Sequence, residues 1–222
     1  NSGIHPDKVK VIPLGIDPDR FTPQAQPLDL PTNNSFRFLF VGGTIPRKGP
    51  DILLDSYLQS FKASDDVCLV IKDFGGGDVY AGQTLKERIV EVSRNPESPE
   101  ILYLEEEIDA DKMAGLYTAC HCLVHPYRGE GFGLPVLEAM ACGLPVVVTA
   151  GGATDDFAGD EHAVRIPARK VSLGTKIGEF DLERRGWWLE PDLQKVASAI
   201  QSIFNNKTEY AVLGRKASDY VR

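Results

Sequence analysis

The stretch from Glu130 to Val148, EGFGLPVLEAMACGLPVVV, constrains this chain more than any other. Its first part predicts a glycine loop at Gly131–Gly133, and its middle predicts a short helix over Leu134–Cys142. The second residue of that helix is a proline, whose fixed φ and missing N–H suit a first helical turn. Buried strands are predicted over Cys122–His125 upstream and Pro145–Thr149 downstream. The unit is therefore strand, glycine loop, helix, strand.

Such a unit is typical of a phosphate-binding site. Glycines let the backbone approach a ligand closely, and a helix N-terminus offers N–H groups and partial positive charge to an anion. Two carboxylates, Glu130 and Glu138, stand with seven residues between them, and we expect both to border one cleft. Carboxylates accept hydrogen bonds from sugar hydroxyls. A phosphate on backbone N–H groups and hydroxyls on glutamate together indicate a sugar nucleotide.

The same stretch resembles the Glu–seven residues–Glu signature of retaining glycosyltransferases, especially glycosyltransferase family 4, which has the GT-B fold. The resemblance implies that Glu138 holds the ribose hydroxyls of the nucleotide. It also implies that Glu130 contacts the transferred sugar, and we assign Glu130 to catalysis on that ground. The loop and helix start that complete this part of the donor site are Gly131, Phe132, Gly133 and Leu134.

A second glycine loop follows the predicted strand Phe36–Val41 and precedes a predicted helix from about Pro50 to Ala63. It forms the first βα turn of a Rossmann-like half, where phosphates bind. In the resembled family, an arginine directly after the first glycine and a lysine before a later glycine hold the diphosphate. Lys48 matches the lysine, whereas Gly43 stands at the arginine position. Arg47 is the candidate replacement, and the donor-site residues of this loop are Gly42, Gly43, Arg47 and Lys48.

Two further predicted strands, Val67–Lys72 and Glu100–Leu104, complete the first half of the sheet. The resemblance implies that residues at the end of the second of them line the nucleobase pocket, largely through backbone atoms. Those residues are Tyr103, Leu104 and Glu105. The glycine turn at Asp73–Gly77 lies beside the donor site, and its sequence leaves open whether it contacts a ligand.

Composition excludes several classes of partner. The net charge is −8 and the isoelectric point about 5.1, which argues against a nucleic-acid-binding face. No apolar run approaches the roughly 20 residues of a membrane span. The cysteines lie among apolar neighbours and predict buried free thiols in a reducing compartment. We expect a cytoplasmic protein, with peripheral membrane association of the longer protein as an alternative.

Three short motifs suggest metals, and we interpret none of them as a metal site. Asp17-Pro18-Asp19 and Asp109-Ala110-Asp111 match an Asp-x-Asp pattern. The first predicts a turn and the second a helix N-cap. Cys120-His121-Cys122 lacks the spacing of a zinc knuckle. We expect no catalytic metal and no cofactor apart from the nucleotide-diphosphate sugar that serves as donor substrate.

The remaining segments are assigned to the core or to loops. Asp109–Cys120 predicts a core helix, and His125 is interpreted as structural, with a place in the cleft as the alternative. Residues 168–190 are predicted to be irregular, with Trp187 and Trp188 covering the core rather than stacking on a sugar. Helices are predicted from Glu190 to about Phe204 and from Glu209 to Arg222.

These predictions combine into one α/β domain spanning residues 1–222, with a Rossmann-like parallel sheet of about six strands and helices on both faces. The segment PLGIDPDRFTP at residues 13–23 resembles the interdomain segment of GT-B enzymes. The chain therefore resembles the C-terminal, donor-binding half, with the N-terminal acceptor domain outside it. The implied enzyme transfers a hexose from a nucleotide sugar to a carbohydrate or lipid-linked acceptor, with retention and without metal. A GT-B epimerase and a non-catalytic nucleotide-binding module remain alternatives, and the fragment alone is expected to transfer nothing.

Overall fold

The computed structural model describes residues 5–10, 12–75, 82–177 and 180–222. In this part of the chain a six-stranded sheet has the order β3-β2-β1-β4-β5-β6. Every neighbouring pair in it is parallel. The strands are β1 Phe36–Val41, β2 Val67–Lys72, β3 Glu100–Leu104, β4 Cys122–His125, β5 Val146–Thr149 and β6 Val164–Ile166.

Helices cover both faces of this sheet. One core contains residues of α3, α4 and α6, and the other contains residues of α1, α2 and α5. The bounds are α1 Pro50–Ser60, α2 Lys86–Ser93, α3 Met113–Thr118, α4 Leu134–Ala141, α5 Leu193–Asn205 and α6 Lys207–Val221. The predicted parallel sheet of about six strands with helices on both faces is confirmed.

Strand β1 shows how the sequence produces this sandwich. Successive side chains of a strand point to opposite faces. Phe36, Phe38 and Phe40 accordingly enter one core, while Leu39 and Val41 enter the other. The neighbouring β2 is buried along its whole length. Continuous apolar runs are expected for parallel strands covered on both faces.

The prediction of an irregular segment over residues 168–190 is wrong. Strand β7, Ala168–Ile177, pairs antiparallel with β8, Phe180–Pro191, as a hairpin separate from the main sheet. Both strands contain charged residues, and the register shifts on either side of Gly174. A two-stranded ribbon outside the sheet buries little apolar surface, so its sequence lacks the apolar alternation that identifies a half-buried strand.

Several helix bounds also differ from the predictions. Helix α3 is shorter than the predicted Asp109–Cys120, because residues before Met113 form turns. The Asp109 carboxylate does not cap that helix and instead accepts a 2.6 Å hydrogen bond from Lys112 Nζ. Helix α6 begins two residues earlier than predicted, at Lys207.

The start of α5 was predicted at Glu190, but Glu190 and Pro191 end strand β8. The helix begins at Leu193 because Asp192 caps it, accepting a 3.1 Å hydrogen bond from the Lys195 backbone N–H. No helix of the described residues is long and apolar enough to cross a membrane. Residues 76 and 77 of the predicted glycine turn lie outside the described residues.

Candidate functional site

The loops after β1 and β4 are joined at the carboxyl edge of the sheet. The backbone N–H of Arg128 donates to the Arg47 carbonyl at 2.8 Å, and the Arg47 guanidinium donates to the Gly129 carbonyl at 2.7 Å. Gly49 allows this approach: a Cβ there would lie 2.1 Å from the Pro126 carbonyl oxygen, and its φ is +71°. The two glycine loops predicted to bind the donor therefore form one surface.

Glu130 is the centre of this surface. Its side chain is 6% exposed and pairs with the ammonium of Lys48. His125 Nε2 lies 2.8 Å from the carboxylate, and Arg47 Nη1 lies 3.5 Å from it. Burial alone would raise the pKa of Glu130, but the hydrogen bond from His125 and the charge of Lys48 lower it to about 2. Glu130 is therefore a carboxylate at neutral pH.

His125 belongs to this cluster and is fully buried. Burial lowers its pKa, so the imidazole is neutral at neutral pH and donates from Nε2 to Glu130. Its Nδ1 then carries the lone pair, and no group in the described part of the chain donates to that atom. The interpretation of His125 as purely structural was incomplete. Its position at the carboxyl end of a strand was the available signal.

Glu138 lies on the second turn of α4, apart from the Glu130 cluster. The hydroxyl of Tyr117 donates to its Oε2 at 2.6 Å. Burial raises the pKa of Glu138, against the lowering effect of this hydrogen bond. Tyr117 was predicted as a core residue, which it is, but the contact with Glu138 was not foreseen. A buried tyrosine hydroxyl needs a partner, and that requirement was the signal.

The loop between the two glutamates has a fixed shape. Gly133 has φ +94°, and a Cβ there would lie 2.7 Å from the Thr154 side chain. Phe132 packs against Phe157, with ring centroids 5.1 Å apart. Leu134 begins α4 directly after this glycine. By contrast, Gly131 has open space around its Cβ position.

Gly43, at the arginine position of the resembled family, is tightly enclosed. A Cβ there would lie 2.4 Å from the Gly75 carbonyl oxygen. Asp73 holds the two loops together, since its carboxylate accepts from the Thr44 backbone N–H at 3.1 Å and from the Gly75 N–H at 2.7 Å. A larger residue at position 43 would push these backbones apart, which accounts for the departure.

The residues predicted for the nucleobase lie beside Asp73. The Tyr103 hydroxyl donates to the Asp73 carboxylate, and the Leu104 carbonyl accepts from the Asp73 N–H at 3.0 Å. Glu105 is exposed and pairs with Lys86. These contacts place Tyr103 and Leu104 next to Asp73, which joins the loops after β1 and β2, whereas Glu105 is exposed to solvent.

A cavity of about 450 Å³ opens beside Glu130. Its walls come from the loops after β1, β2, β4 and β5 and from the hairpin. They are Pro46, Arg47, Gln83, Tyr127, Arg128, Gly129, Glu130, Gly151, Gly152, Ala153, Leu173, Trp187, Trp188 and Leu189. Glu138 is not among them. We expected both glutamates to border one cleft, but only Glu130 lines this cavity.

Arg128 joins the hairpin to this cavity. Its guanidinium pairs with Asp51 at 2.6 and 2.7 Å and with Glu190 of β8 at 2.8 and 2.9 Å. It also lies 4.9 Å from the centre of the Trp188 ring. Burial would lower the pKa of Arg128, but these carboxylates raise it above its usual range. Sequence reasoning missed Arg128, because a lone loop arginine gives no sign of its partners.

The described residues contain no group of three side chains arranged to hold a metal ion. Asp17 accepts from the backbone N–H groups of Asp19 and Arg20, which confirms the predicted turn. The four cysteines are buried free thiols, as predicted.

Comparison with known proteins now decides the family. The model of the family described as "Glycosyl transferases group 1" matches residues 35–206, well over half of the chain. The chain belongs to this family. The matched region includes both glycine loops and the whole six-stranded sheet.

A curated relative agrees with this assignment. A D-inositol 3-phosphate glycosyltransferase of Catenulispora acidiphila is 33% identical over 156 residues, which are 68% of this chain and 37% of that protein. The chain therefore spans well under half the length of this relative.

Two solved structures show the same fold. Anabaena HepE in complex with UDP and glucose has a TM-score of 0.68 and 20% identity, covering 98% of this chain and 53% of that one. The C-terminal domain of a group 1 glycosyl transferase, LpcC, from Francisella tularensis has a TM-score of 0.64 and 18% identity. That match covers 92% of this chain and 97% of the LpcC domain. The fold is that of a GT-B glycosyltransferase domain.

Proposed function

We propose that this chain is the donor-binding domain of a longer, retaining glycosyltransferase of family 4. It binds a nucleoside-diphosphate sugar, and the acceptor-binding domain lies outside residues 1–222. The observation that carries the proposal is Glu130, a buried carboxylate held ionised beside Lys48 where two glycine loops meet. The match of the isolated LpcC C-terminal domain over 97% of its length supports a single domain.

Each part of the donor has a proposed partner. Lys48 and Arg47 receive the diphosphate, and Glu130 receives hydroxyls of the transferred hexose. Glu138, oriented by Tyr117, receives the ribose hydroxyls. The base lies against the backbone of Tyr103, Leu104 and Glu105. The glycine loops give the diphosphate access to backbone N–H groups, through Gly42, Gly43, Gly131, Phe132, Gly133 and Leu134.

Catalysis in this scheme rests on electrostatics rather than on a metal. Negative charge develops on the leaving diphosphate as the glycosidic bond breaks. Fixed cations aimed at that charge stabilise the transition state. Lys48 and Arg47 are held beside the site by contacts to Glu130 and Gly129. The acceptor, a carbohydrate or a lipid-linked sugar, enters from the domain outside this chain.

Calorimetric titration of the chain with UDP-, GDP- and ADP-sugars and with the corresponding diphosphates tests the proposal. At least one nucleotide sugar should bind. Glu138→Ala should weaken nucleotide and nucleotide sugar alike, by about 1–3 kcal/mol. Glu130→Ala should spare the bare diphosphate and weaken the nucleotide sugar. Equal losses for both ligands in Glu130→Ala, or no loss in Glu138→Ala, would show that these roles are wrongly assigned.

Two other functions fit a donor site of this kind: a GT-B epimerase and a nucleotide-binding module without catalysis. The pair Glu130 and Glu138 favours the transferase over the epimerase. The feature that favours the non-catalytic nucleotide-binding module is Gly43, which stands where the resembled family has an arginine. Assaying the full-length protein for sugar transfer and donor hydrolysis separates the three.

A further inference from the structure

The hairpin β7–β8 brings both tryptophans of the chain to the cavity beside Glu130. Their environments differ. Trp188 is half-buried against the Arg128 guanidinium. Trp187 is 53% exposed, although Lys170 Nζ lies over its ring at 3.7 Å from the centroid. Much of the Trp187 ring is thus open to the solvent and to the cavity.

Direct contacts join β8, the strand that carries Trp187, to the loop that carries Glu130. The backbone N–H of Leu189 donates to the Arg128 carbonyl at 2.9 Å. The Arg128 side chain pairs with Glu190. Trp187 therefore stands two residues before an anchor point on β8, and Glu130 stands two residues after the matching anchor in the loop. Trp187 and Glu130 both line the cavity.

We propose that Trp187 is the stacking wall of a pyranose-binding subsite in this cavity. A pyranose ring has an apolar face of C–H groups and a rim of hydroxyls. It therefore fits an exposed indole face set near a carboxylate and a guanidinium, which here are Glu130 and Arg47. The volume of about 450 Å³ lies within the range of small-molecule sites.

The ring has two possible sources: the hexose of the donor or a sugar of the acceptor. The donor alternative rests on the proposed function, whereas stacking of a free sugar does not. Because Trp187 and Trp188 are the only tryptophans in the sequence, the emission of the Trp188→Phe variant reports Trp187 alone. This provides a direct optical readout of the subsite.

The experiment combines that fluorescence with calorimetry on the 222-residue chain. The probes are methyl α-glucoside with and without saturating UDP, UDP alone, and UDP-glucose, with GDP-mannose and ADP-glucose as alternative donors. In Trp188→Phe, a bound pyranose should shift the Trp187 emission to shorter wavelength, because the ring leaves water. Trp187→Ala should reduce the affinity for the pyranose ligand about threefold to tenfold and leave the affinity for UDP unchanged. Trp187→Phe should retain most of the affinity.

The source follows from which ligand is affected. If Trp187→Ala loses affinity for the nucleotide sugar, the ring is the donor hexose. If it loses affinity for the glucoside alone, the ring belongs to an acceptor sugar. Tyr220→Ala, a change at another exposed aromatic residue, should affect neither. If no nucleotide binds, the proposed function fails, while the glucoside measurement still decides the subsite. The inference is overturned if no pyranose probe changes the Trp187 emission, or if Trp187→Ala binds every probe as the wild type does.

Discussion

Replacing Lys48 with methionine removes the ammonium beside Glu130 and keeps a hydrocarbon chain of similar length. The side chains of this pair are 14% and 6% exposed. Breaking a buried ion pair by removing one partner costs about 3–5 kcal/mol. Here Arg47 at 3.5 Å and the His125 hydrogen bond at 2.8 Å continue to stabilise the carboxylate. We therefore expect a smaller loss of unfolding free energy at pH 7, about 2 kcal/mol.

The acid dependence of stability gives a second measure of the same pair. The pKa of Glu130 falls from 4.5 to about 2 on folding. Because the folded pKa is the lower one, the carboxylate contributes stability above about pH 4.5 and loses it as the pH falls towards about 2. The whole contribution amounts to about 3 kcal/mol. In Lys48→Met the folded pKa should be higher, so less stability is lost across this range.

The assay is urea unfolding of wild type and variants at several pH values, with calorimetric titration of a nucleoside diphosphate and its nucleoside. Adding Glu130→Gln to Lys48→Met removes the uncompensated carboxylate. The cycle should show a coupling of about 1–3 kcal/mol, with stability partly restored. Affinity for the diphosphate should remain about 10- to 100-fold reduced in both Lys48 variants, and nucleoside affinity should not change.

The matched control is Lys86→Met. Lys86 pairs with Glu105, but both side chains are about half exposed. Exposed pairs contribute about 0–1 kcal/mol, so this variant should remain close to wild type in stability. If Lys48→Met matched Lys86→Met in stability and acid dependence, the inference that Lys48 stabilises the buried Glu130 carboxylate would be refuted. Restored diphosphate affinity in the double variant would refute the role of Lys48 in binding.

Three further predictions concern other parts of the site. Gly43→Arg should lower the melting temperature without improving nucleotide affinity, because the Cβ of the new side chain would lie 2.4 Å from the Gly75 carbonyl oxygen. Gly159→Ala, at a position with open space around it, is the control for thermal melting. Tyr117→Phe should weaken nucleotide binding about twofold to tenfold by releasing the Glu138 carboxylate, which calorimetry measures. Chelators should leave donor affinity unchanged, and a strict requirement for magnesium or manganese in the titration would contradict metal independence.

The sheet was predictable because its strands carry nearly continuous apolar runs. Phe36–Val41 and Val67–Lys72 were predicted with the bounds that the structure has, since both are covered by helices on both faces. Strand order then places the loops after β1 and β4 at one edge, side by side. Lys48 and Glu130 were predicted as site residues from the resemblance of their motifs to the glycosyltransferase family, before any contact between them was known.

What the sequence did not predict depends on contacts between distant segments. Residues 168–190 form strands only as a hairpin, and the position of that hairpin depends on Arg128 pairing with Glu190. The local sequence pattern predicts neither the ion pair between Arg128 and Glu190 nor its geometry. Consequently Trp187 was assigned to the core, although it is 53% exposed beside the site.

The charges around the site indicate which residue is placed to replace the arginine that the resembled family has at the position of Gly43. Arg128 is neutralised by Asp51 and Glu190, so it adds little positive charge to the cavity. The remaining cations are Lys48, paired with Glu130, and Arg47, which is 3.5 Å from the same carboxylate and 41% exposed. Lys48 has to exchange one partner for another when it meets a diphosphate. Arg47 gives up less, since its guanidinium hydrogen bond is to the neutral Gly129 carbonyl, its distance to Glu130 is longer at 3.5 Å, and its fork has further N–H groups to offer an anion. Arg47 is therefore the residue we expect to replace the family arginine.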